Sequence, residues 1–578
     1  MTATDVLDAL DPEQREVALA SRGAVCVLAG AGTGKTRAIT HRIAYAAATG
    51  VVDPAHVLAL TFTVRAAGEL RGRLRELGAG QVRASTFHAA ALRQLNYFWP
   101  RIVGGRPPRL MDAKGSLIRE AAKLARVRLD AVSDAASEIE WAKTMQVRPA
   151  EYPTAAVAAS RTAGTPGEFA AVYALYEQLR RERQLIDFES VLELTAAMIL
   201  EQRWAADQVR DTFRYFVVDE FQDVNPLQKL LLEAWLGDRD ELCVVGDPHQ
   251  TIYSFTGATP SYLTGFTREF PAAAVVKLIR DYRSTPQVVA VANQLIKAAA
   301  PLVAQRKPGP SPLLTEFRDE ADEAAGLAVQ IQALIAGGVP ARGIAVLVRI
   351  NAHTERFERA LADAGVAYVV RGAERFYERP VVKQTLVLMR GAARGEAATV
   401  KTAAIGFAAG DLVSGGESLP AAVRHVLTGM GFTVAAPGGG AAARERWESL
   451  AAIAQLADDV HAANPAATLG EFAAELTQRA ELGHAPVVDG VTLTSMHAAK
   501  GLEWDAVLLP GLVEGVLPIV HARTPDAVAE ERRLLYVAVT RARSHLYLSW
   551  SPARAQGSRP TRARSRFLDD VRLGGRHG

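Results

Sequence analysis

The sequence predicts an α/β protein with two domains of mainly parallel sheet, each interrupted by an α-helical insertion. Three observations support this. The β-branched run Val25-Cys26-Val27-Leu28 leads into a glycine-rich turn and then Arg37-Ala38-Ile39-Thr40, which reads as strand, loop and helix. Short apolar runs ending in polar residues recur, first up to Gln250 and then in a second series from Ile344 to Ser549. Within each series the strand signal disappears, over 92–184 in the first and over 381–482 in the second, where helical patterning dominates.

The glycine-rich turn is Ala29-Gly30-Ala31-Gly32-Thr33-Gly34-Lys35-Thr36, with Ala29 where a strict phosphate loop has its first glycine. Glycines let backbone N–H groups converge on a phosphate, and the helix N-terminus adds the positive end of its dipole. Lys35 would reach the β- and γ-phosphates, and the Thr36 hydroxyl would face Mg²⁺. Only 11 of the 66 basic residues are lysines, so a lysine at this position runs against the chain's own bias. The stretch is read as a nucleoside-triphosphate site.

A chain of 578 residues suggests about four domains at roughly 150 residues each. The formal charge of +3 neither demands nor excludes nucleic acid, because a binding groove needs only local positive charge. Cys26 and Cys243 each sit in an apolar run, as buried strand thiols of a reducing compartment, and no cysteine cluster suits zinc. Met1 to Leu10 has two aspartates and no basic residue, unlike a signal peptide. No apolar run approaches the ~18 residues of a membrane span.

Taken in order, Asp11-Pro12 caps and opens a helix that carries Gln14, whose amide suits an adenine edge. Val57-Leu58-Ala59-Leu60-Thr61 is a second strand, ending at Phe62 and followed by a helix from Arg65 to Leu77. Val82-Arg83-Ala84-Ser85-Thr86 repeats the arrangement before Phe87 and His88. Ligands bind beyond the carboxyl ends of such strands, so Phe62, Phe87 and His88 could stack bases with Arg65 near a phosphate. Tyr215-Phe216-Val217-Val218 ends in Asp219, expected to hold Mg²⁺, and Glu220, expected to polarise the attacking water. Leu242-Cys243-Val244-Val245-Gly246 ends near Gln250, placed to sense the γ-phosphate, with Tyr253 and Phe255 just beyond.

These motifs, in this order, resemble those of superfamily 1A helicases of the UvrD/Rep/PcrA type. Later residues extend the resemblance: Asp281-Tyr282-Arg283-Ser284, Thr494, His497-Ala498-Ala499-Lys500-Gly501-Leu502-Glu503, and Glu530-Glu531-Arg532-Arg533 through Thr540-Arg541-Ala542. The motifs run from residue 11 to 543, nearly the whole chain. Departures are Asp281 for asparagine, Arg65 for lysine, Val64 for a polar residue, and Thr256 for a DNA-contacting arginine.

The resemblance implies two RecA-like domains using ATP and Mg²⁺. The first would span 1–91 and 185–274, with an insertion at 92–184. The second would span 275–380 and 483–550, with a small insertion at 381–482. The basic tail at 551–578 is read from its own composition as a solvated end, anchored at Phe567-Leu568 before it frays. It also implies that Tyr282 stacks on adenine, Glu503 contacts ribose, and Arg283 and Arg541 grip the γ-phosphate from the second domain. His497 joins the six residues Phe62, Arg65, Phe87, His88, Tyr253 and Phe255 on the DNA path. The implied activity is 3′-to-5′ translocation on single-stranded DNA with unwinding of 3′-tailed duplex, in repair or replication. A cytoplasmic, nucleoid-associated monomer or weak dimer is expected, with repair proteins as partners and no membrane. The alternative is a DNA-stimulated translocase that strips proteins with little unwinding.

Overall fold

The structure, a computed structural model, describes residues 2–111, 113–129, 132–159, 161, 165–350, 353–370, 380–393, 418–433, 447, 449–451, 453–454, 456–458, 460–461, 464–482, 490–554 and 559–572. Its contacts fall into two compact units: Met1–Arg283 with Ala298–Arg306, and Ser284–Lys297 with Lys307–Gly578.

The first unit is built on six parallel strands: β1 (Val25–Ala29), β2 (Val57–Thr61), β3 (Arg83–Thr86), β4 (Tyr215–Val218), β5 (Leu242–Gly246) and β6 (Ala274–Leu278). Their order across the sheet is β3-β2-β4-β5-β1-β6. Successive side chains of a strand point to opposite faces, and each face has its own core. Cys26, Leu58, Leu60, Phe216 and Val218 fill one; Val25, Val27, Val57, Ala59 and Val217 fill the other. The near-continuous apolar runs seen in the sequence are therefore strands covered on both sides.

Two expected boundaries move. The strand at Val275 was assigned to the second domain, but β6 pairs in parallel with β1 from Val25↔Ala274 to Ala29↔Leu278. Its Val276 and Leu278 complete the first unit's core, which fixes it there. The helix Phe87–Ile102 sends Leu95 and Phe98 into the other core, so the helical insertion starts later than residue 92. The insertion has a separate core that includes Ile118, Ile139, Tyr152 and Tyr176. A buried ion network ties it down: Lys143 Nζ lies 2.8 Å from Asp187 Oδ2, 2.7 Å from Glu177 Oε1 and 2.6 Å from Ser190 Oγ.

The second unit also has six parallel strands: β7 (Leu313–Glu316), β8 (Ile344–Val348), β9 (Tyr368–Val370), β10 (Val491–Ser495), β11 (Trp504–Leu509) and β12 (Ala542–Trp550). They are ordered β7-β12-β11-β8-β10-β9. Helices of the 381–482 region hold a core of their own, with Val382, Met389, Leu427 and Phe472 at its centre. The glycine-rich breaks expected there, Ser414-Gly415-Gly416 and Pro437-Gly438-Gly439-Gly440, lie outside the described residues.

Phe567 and Leu568 are buried, as the expected anchor. The solvated reading of the tail is corrected before that anchor, where Arg562 pairs with Glu320 and Arg566 pairs with Glu514. Those carboxylates come from distant parts of the chain and neutralise the arginines. Both cysteines are buried and unpaired with each other. Among the described residues no helix is long and apolar enough to cross a membrane.

Candidate nucleotide site and nucleic-acid interface

β1 leads into a loop that tolerates only glycine at two positions. Gly32 (φ +70°) and Gly34 (φ +78°) occupy the left-handed region. A Cβ on Gly34 would stand 2.7 Å from Gln14 Nε2, and one on Gly32 would stand 2.3 Å from Asp281 Oδ2. Ala29, by contrast, is the last residue of β1 in extended backbone, so the first motif position has no need of glycine here. Gly34 is the N-cap of α1 (Lys35–Ala48), whose first N–H groups thus open onto the loop.

Gln14, Tyr282 and Arg283 gather at this loop. Asp11 caps the helix Pro12–Leu19 by accepting from the Gln14 N–H, as the sequence predicts. The buried Gln14 amide donates to the Thr33 carbonyl at 3.1 Å. Tyr282 donates its N–H to the Gly32 carbonyl at 2.9 Å and its hydroxyl to Asp11 Oδ2 at 2.6 Å, while its ring stays 44% exposed. Arg283 was expected to come from the second domain, yet it closes the first unit. The short strand Arg280–Asp281 pairs with Val303–Ala304, and Asp281 Oδ1 accepts from the Arg283 N–H at 2.9 Å, which holds the stretch beside the loop.

The carboxylate pair follows β4. Asp219 is buried, and Glu220 adopts φ +52°, a conformation uncommon for any residue with a side chain. Glu220 Oε1 lies 3.4 Å from Lys35 Nζ, the lysine at the start of α1. Burial first, then the Glu220 charge, pushes the Asp219 carboxyl up to about 7. A buried carboxylate held that far above its ordinary range is a group that a cation would return to its ionised form. With the Thr36 hydroxyl on the adjoining turn, the donors are hard oxygens of the kind that suit Mg²⁺.

Two further residues, Gln222 and Asp247, lie in motifs that carry the resemblance but had no role assigned from sequence. Gln222, fully buried, donates to Glu220 Oε2 at 2.5 Å and accepts the Asp247 N–H at 3.0 Å. Asp247 Oδ2 in turn accepts from Gln250 Nε2 at 2.8 Å. A continuous polar chain therefore links Glu220 to Gln250. In the sequence Gln222 stands four residues past β4, between Phe221 and Asp223, where no local pattern marks its link to Asp247.

The aromatic set divides. Phe87, expected to stack a base, is a core residue: it is 1% exposed, with Trp235 stacked on it at 6.0 Å. Phe62 is half-buried with its ring 6.4 Å from Phe87, and Arg65 is exposed and paired with Glu69 at 2.9 Å. His88 meets Phe188 edge-on at 5.7 Å, and burial pushes its imidazole down to about 4. Phe188, 46% exposed, was not selected from sequence; it opens a helix capped by the ion-paired Asp187. Tyr253 is half-buried, and the Thr256 hydroxyl turns back to its carbonyl at 2.8 Å. The Phe255 side chain lies outside the described residues.

In the second unit, Arg541 is no solvated arginine. It is 2% exposed, and its guanidinium donates to the carbonyls of Val537 and Leu502 at 2.9 and 3.2 Å. Glu503, exposed, accepts from Arg543 Nη2 at 2.6 Å. His497 follows β10, and burial, with Arg349 adding to it, pushes its ring down to about 4.

Two parallel sheets, the first with a glycine loop, a buried Asp-Glu corner and a lysine facing it, define a P-loop protein of the RecA-like kind. The family described as UvrD/REP helicase N-terminal domain matches residues 10–271, and the UvrD-like helicase C-terminal domain matches 276–402 and 422–553. An ATP-dependent DNA helicase UvrD2 of Mycobacterium tuberculosis is 50% identical over 596 aligned positions, covering 98% of this chain and 82% of the relative. An ATP-dependent DNA helicase PcrA of Staphylococcus aureus is 27% identical, covering 98% of this chain and 86% of the relative. The chain belongs to the UvrD/Rep helicase family.

Proposed function

We propose that this protein is an ATP-driven DNA helicase, using Mg²⁺, that moves 3′-to-5′ on single-stranded DNA and opens 3′-tailed duplex in repair or replication. It would act in the cytoplasm at the nucleoid, as a monomer or weak dimer with repair proteins as partners. The observation that supports this most strongly is the Asp219–Glu220 corner. A non-glycine residue at φ +52° costs on the order of 1–3 kcal/mol, strain of the kind that clusters at working sites.

In this reading Lys35 and the N–H groups from Gly30 to Thr36 hold the β- and γ-phosphates. Thr36 and Asp219 hold Mg²⁺, which supplies charge neutralisation at the transferred phosphoryl group. Glu220 orients and polarises the attacking water, while Gln250 senses the γ-phosphate and is linked to Glu220 through Asp247 and Gln222. Gln14 reads the adenine edge, Tyr282 stacks on it, and Glu503 takes the ribose. Arg283 and Arg541 stabilise charge developing on the phosphoryl group.

Phe62, Tyr253 and the His88–Phe188 pair offer stacking faces, which grip any base and so suit sequence-independent movement, and Phe255 is given the same role from sequence alone. Arg65 serves a phosphate, and His497 contacts the strand as a neutral ring. The curated relatives named as ATP-dependent DNA helicases support the activity class. Glu220→Gln should bind ATP nearly normally and slow DNA-stimulated hydrolysis by ~10²-fold or more, the scale of positioned acid–base groups. Near-normal turnover would overturn the site. Unwinding of 3′- against 5′-tailed duplexes then tests direction, and turnover without strand opening would favour the protein-stripping alternative.

A further inference from the structure

Arg283 and Arg541 are each followed by residues that bind one another. Ser284 Oγ donates to the Ala542 carbonyl at 2.7 Å, and the Thr285 N–H donates to the Arg543 carbonyl at 2.9 Å. Ser284 and Ala542 are both buried, so this junction is dry. Two helices run from it and pack on one another: α2 (Pro286–Ile296) starts one residue past Thr285, and α3 (Pro525–Val539) ends just before Thr540-Arg541.

The far end of α2 and the middle of α3 are braced as well. Asp570 accepts from Lys297 Nζ, at the end of α2, and from Arg532 Nη1, on α3, both at 2.7 Å. Arg532 also donates to the Leu295 carbonyl at 3.3 Å and lies 4.8 Å over the buried Phe567 ring. The C-terminal segment thus joins the end of α2 to the middle of α3, away from the serine.

We propose that Ser284 is a positioning residue for ATP turnover. Its hydroxyl ties the chain just after Arg283 to the chain just after Arg541, so the backbone that leads into each arginine is held in place, with Asp570 bracing the two helices that run from this junction. This rests on the reading that both arginines act on the γ-phosphate. The hydroxyl–carbonyl bond is well suited to the task. Removing it leaves a buried carbonyl short of a donor, while the Thr285–Arg543 backbone bond keeps the chains adjacent. Turnover feels such loosening because a displacement of about 1 Å in a reacting group can cost ~10²-fold.

The test compares Ser284→Ala, Ser284→Thr, Arg283→Ala, Arg541→Ala and the Ser284→Ala/Arg541→Ala double variant, reading kcat with saturating single-stranded DNA, nucleotide KM and the melting midpoint. Ser284→Ala should lower kcat about tenfold at nearly constant KM, the scale of one lost buried hydrogen bond. Ser284→Thr, which keeps the hydroxyl, should restore most of that loss. In the Arg541→Ala background the serine change should cost much less than it does alone. Normal kcat in Ser284→Ala, equal loss in Ser284→Thr, or strictly additive losses would each overturn the proposal while leaving the arginine assignment standing. Normal turnover in both arginine variants would instead overturn that assignment. If Ser284→Ala does not fold, Asp570→Asn tests the far brace: kcat should fall about threefold at unchanged KM, as an exposed ion pair allows, and no fall counts against the proposal.

Discussion

Ala29 shows how a motif departure is absorbed at a single residue. The first glycine of a phosphate loop gives the chain freedom to turn, but here the turn is made at Gly32 and Gly34, while Ala29 ends a strand. Ala29→Gly should therefore leave nucleotide affinity unchanged and cost about 0.5–1 kcal/mol of stability through added unfolded-state entropy. Titration with a fluorescent nucleotide and a denaturant melt check both halves. His88 and His497 make a second case. Burial pushes both rings down to about 4, below the ordinary histidine value of about 6.5. A depressed histidine contributes stability that is present above the unfolded value and is lost as pH falls through the folded one. Unfolding free energy should thus decline between about pH 6.5 and 4, and His88→Asn should flatten that decline. Near neutral pH both rings are uncharged, so neither adds a cation to DNA binding. A salt dependence that steepens at pH 6 in the wild type, but not in His497→Asn, would contradict this.

The strand–loop–helix element around Lys35 was legible because its signals are local: a buried run, glycines at the turn and a helix cap all lie within a few residues. Its glycines are not equivalent. A Cβ on Gly32 would meet the Asp281 carboxylate at 2.3 Å and would sit at φ +70°, whereas one on Gly30 would meet the flexible end of Leu302 at 2.4 Å. Gly32→Ala should abolish measurable nucleotide binding, while Gly30→Ala should weaken it modestly after Leu302 shifts; equal losses in the two would show that strain at Gly32 does not decide. Where sequence reading went astray, the deciding contact was distant. Phe62 and Phe87 stand in the same local pattern, an aromatic after a strand, and distant packing partners such as Trp235 make Phe87 core. β6 looked like a new domain because its pairing with β1 spans most of the first unit. Gln222 read as one polar residue in a motif, and its link between Glu220 and Asp247 exists only in the folded chain.

At the scale of the whole molecule, ion pairs take up charge that composition alone would leave free, and the C-terminal segment is the clearest instance. As sequence it is an arginine-rich end, which could equally have served as a phosphate-binding arm. In the structure Arg562, Arg564 and Arg566 pair with Glu320, Asp569 and Glu514, and Phe567 is fully buried in the second unit. A cation already paired releases few counterions when DNA arrives, so these arginines should contribute little to the salt dependence of binding. The Arg564→Ala/Arg566→Ala variant should keep the wild-type log–log salt slope for a single-stranded oligonucleotide, whereas two genuine phosphate contacts would lower it by about 1.4. Phe567→Ala should act differently, costing about 3–5 kcal/mol by opening a cavity. Because the first unit has cores of its own, that loss should be confined to the second. Hydrogen exchange would then speed up in β11, β12 and α3 while β1, β4 and β5 keep their protection. Equal loosening of both sheets would mean that the two units unfold as one, and a changed salt slope in the arginine variant would restore the segment to the DNA path.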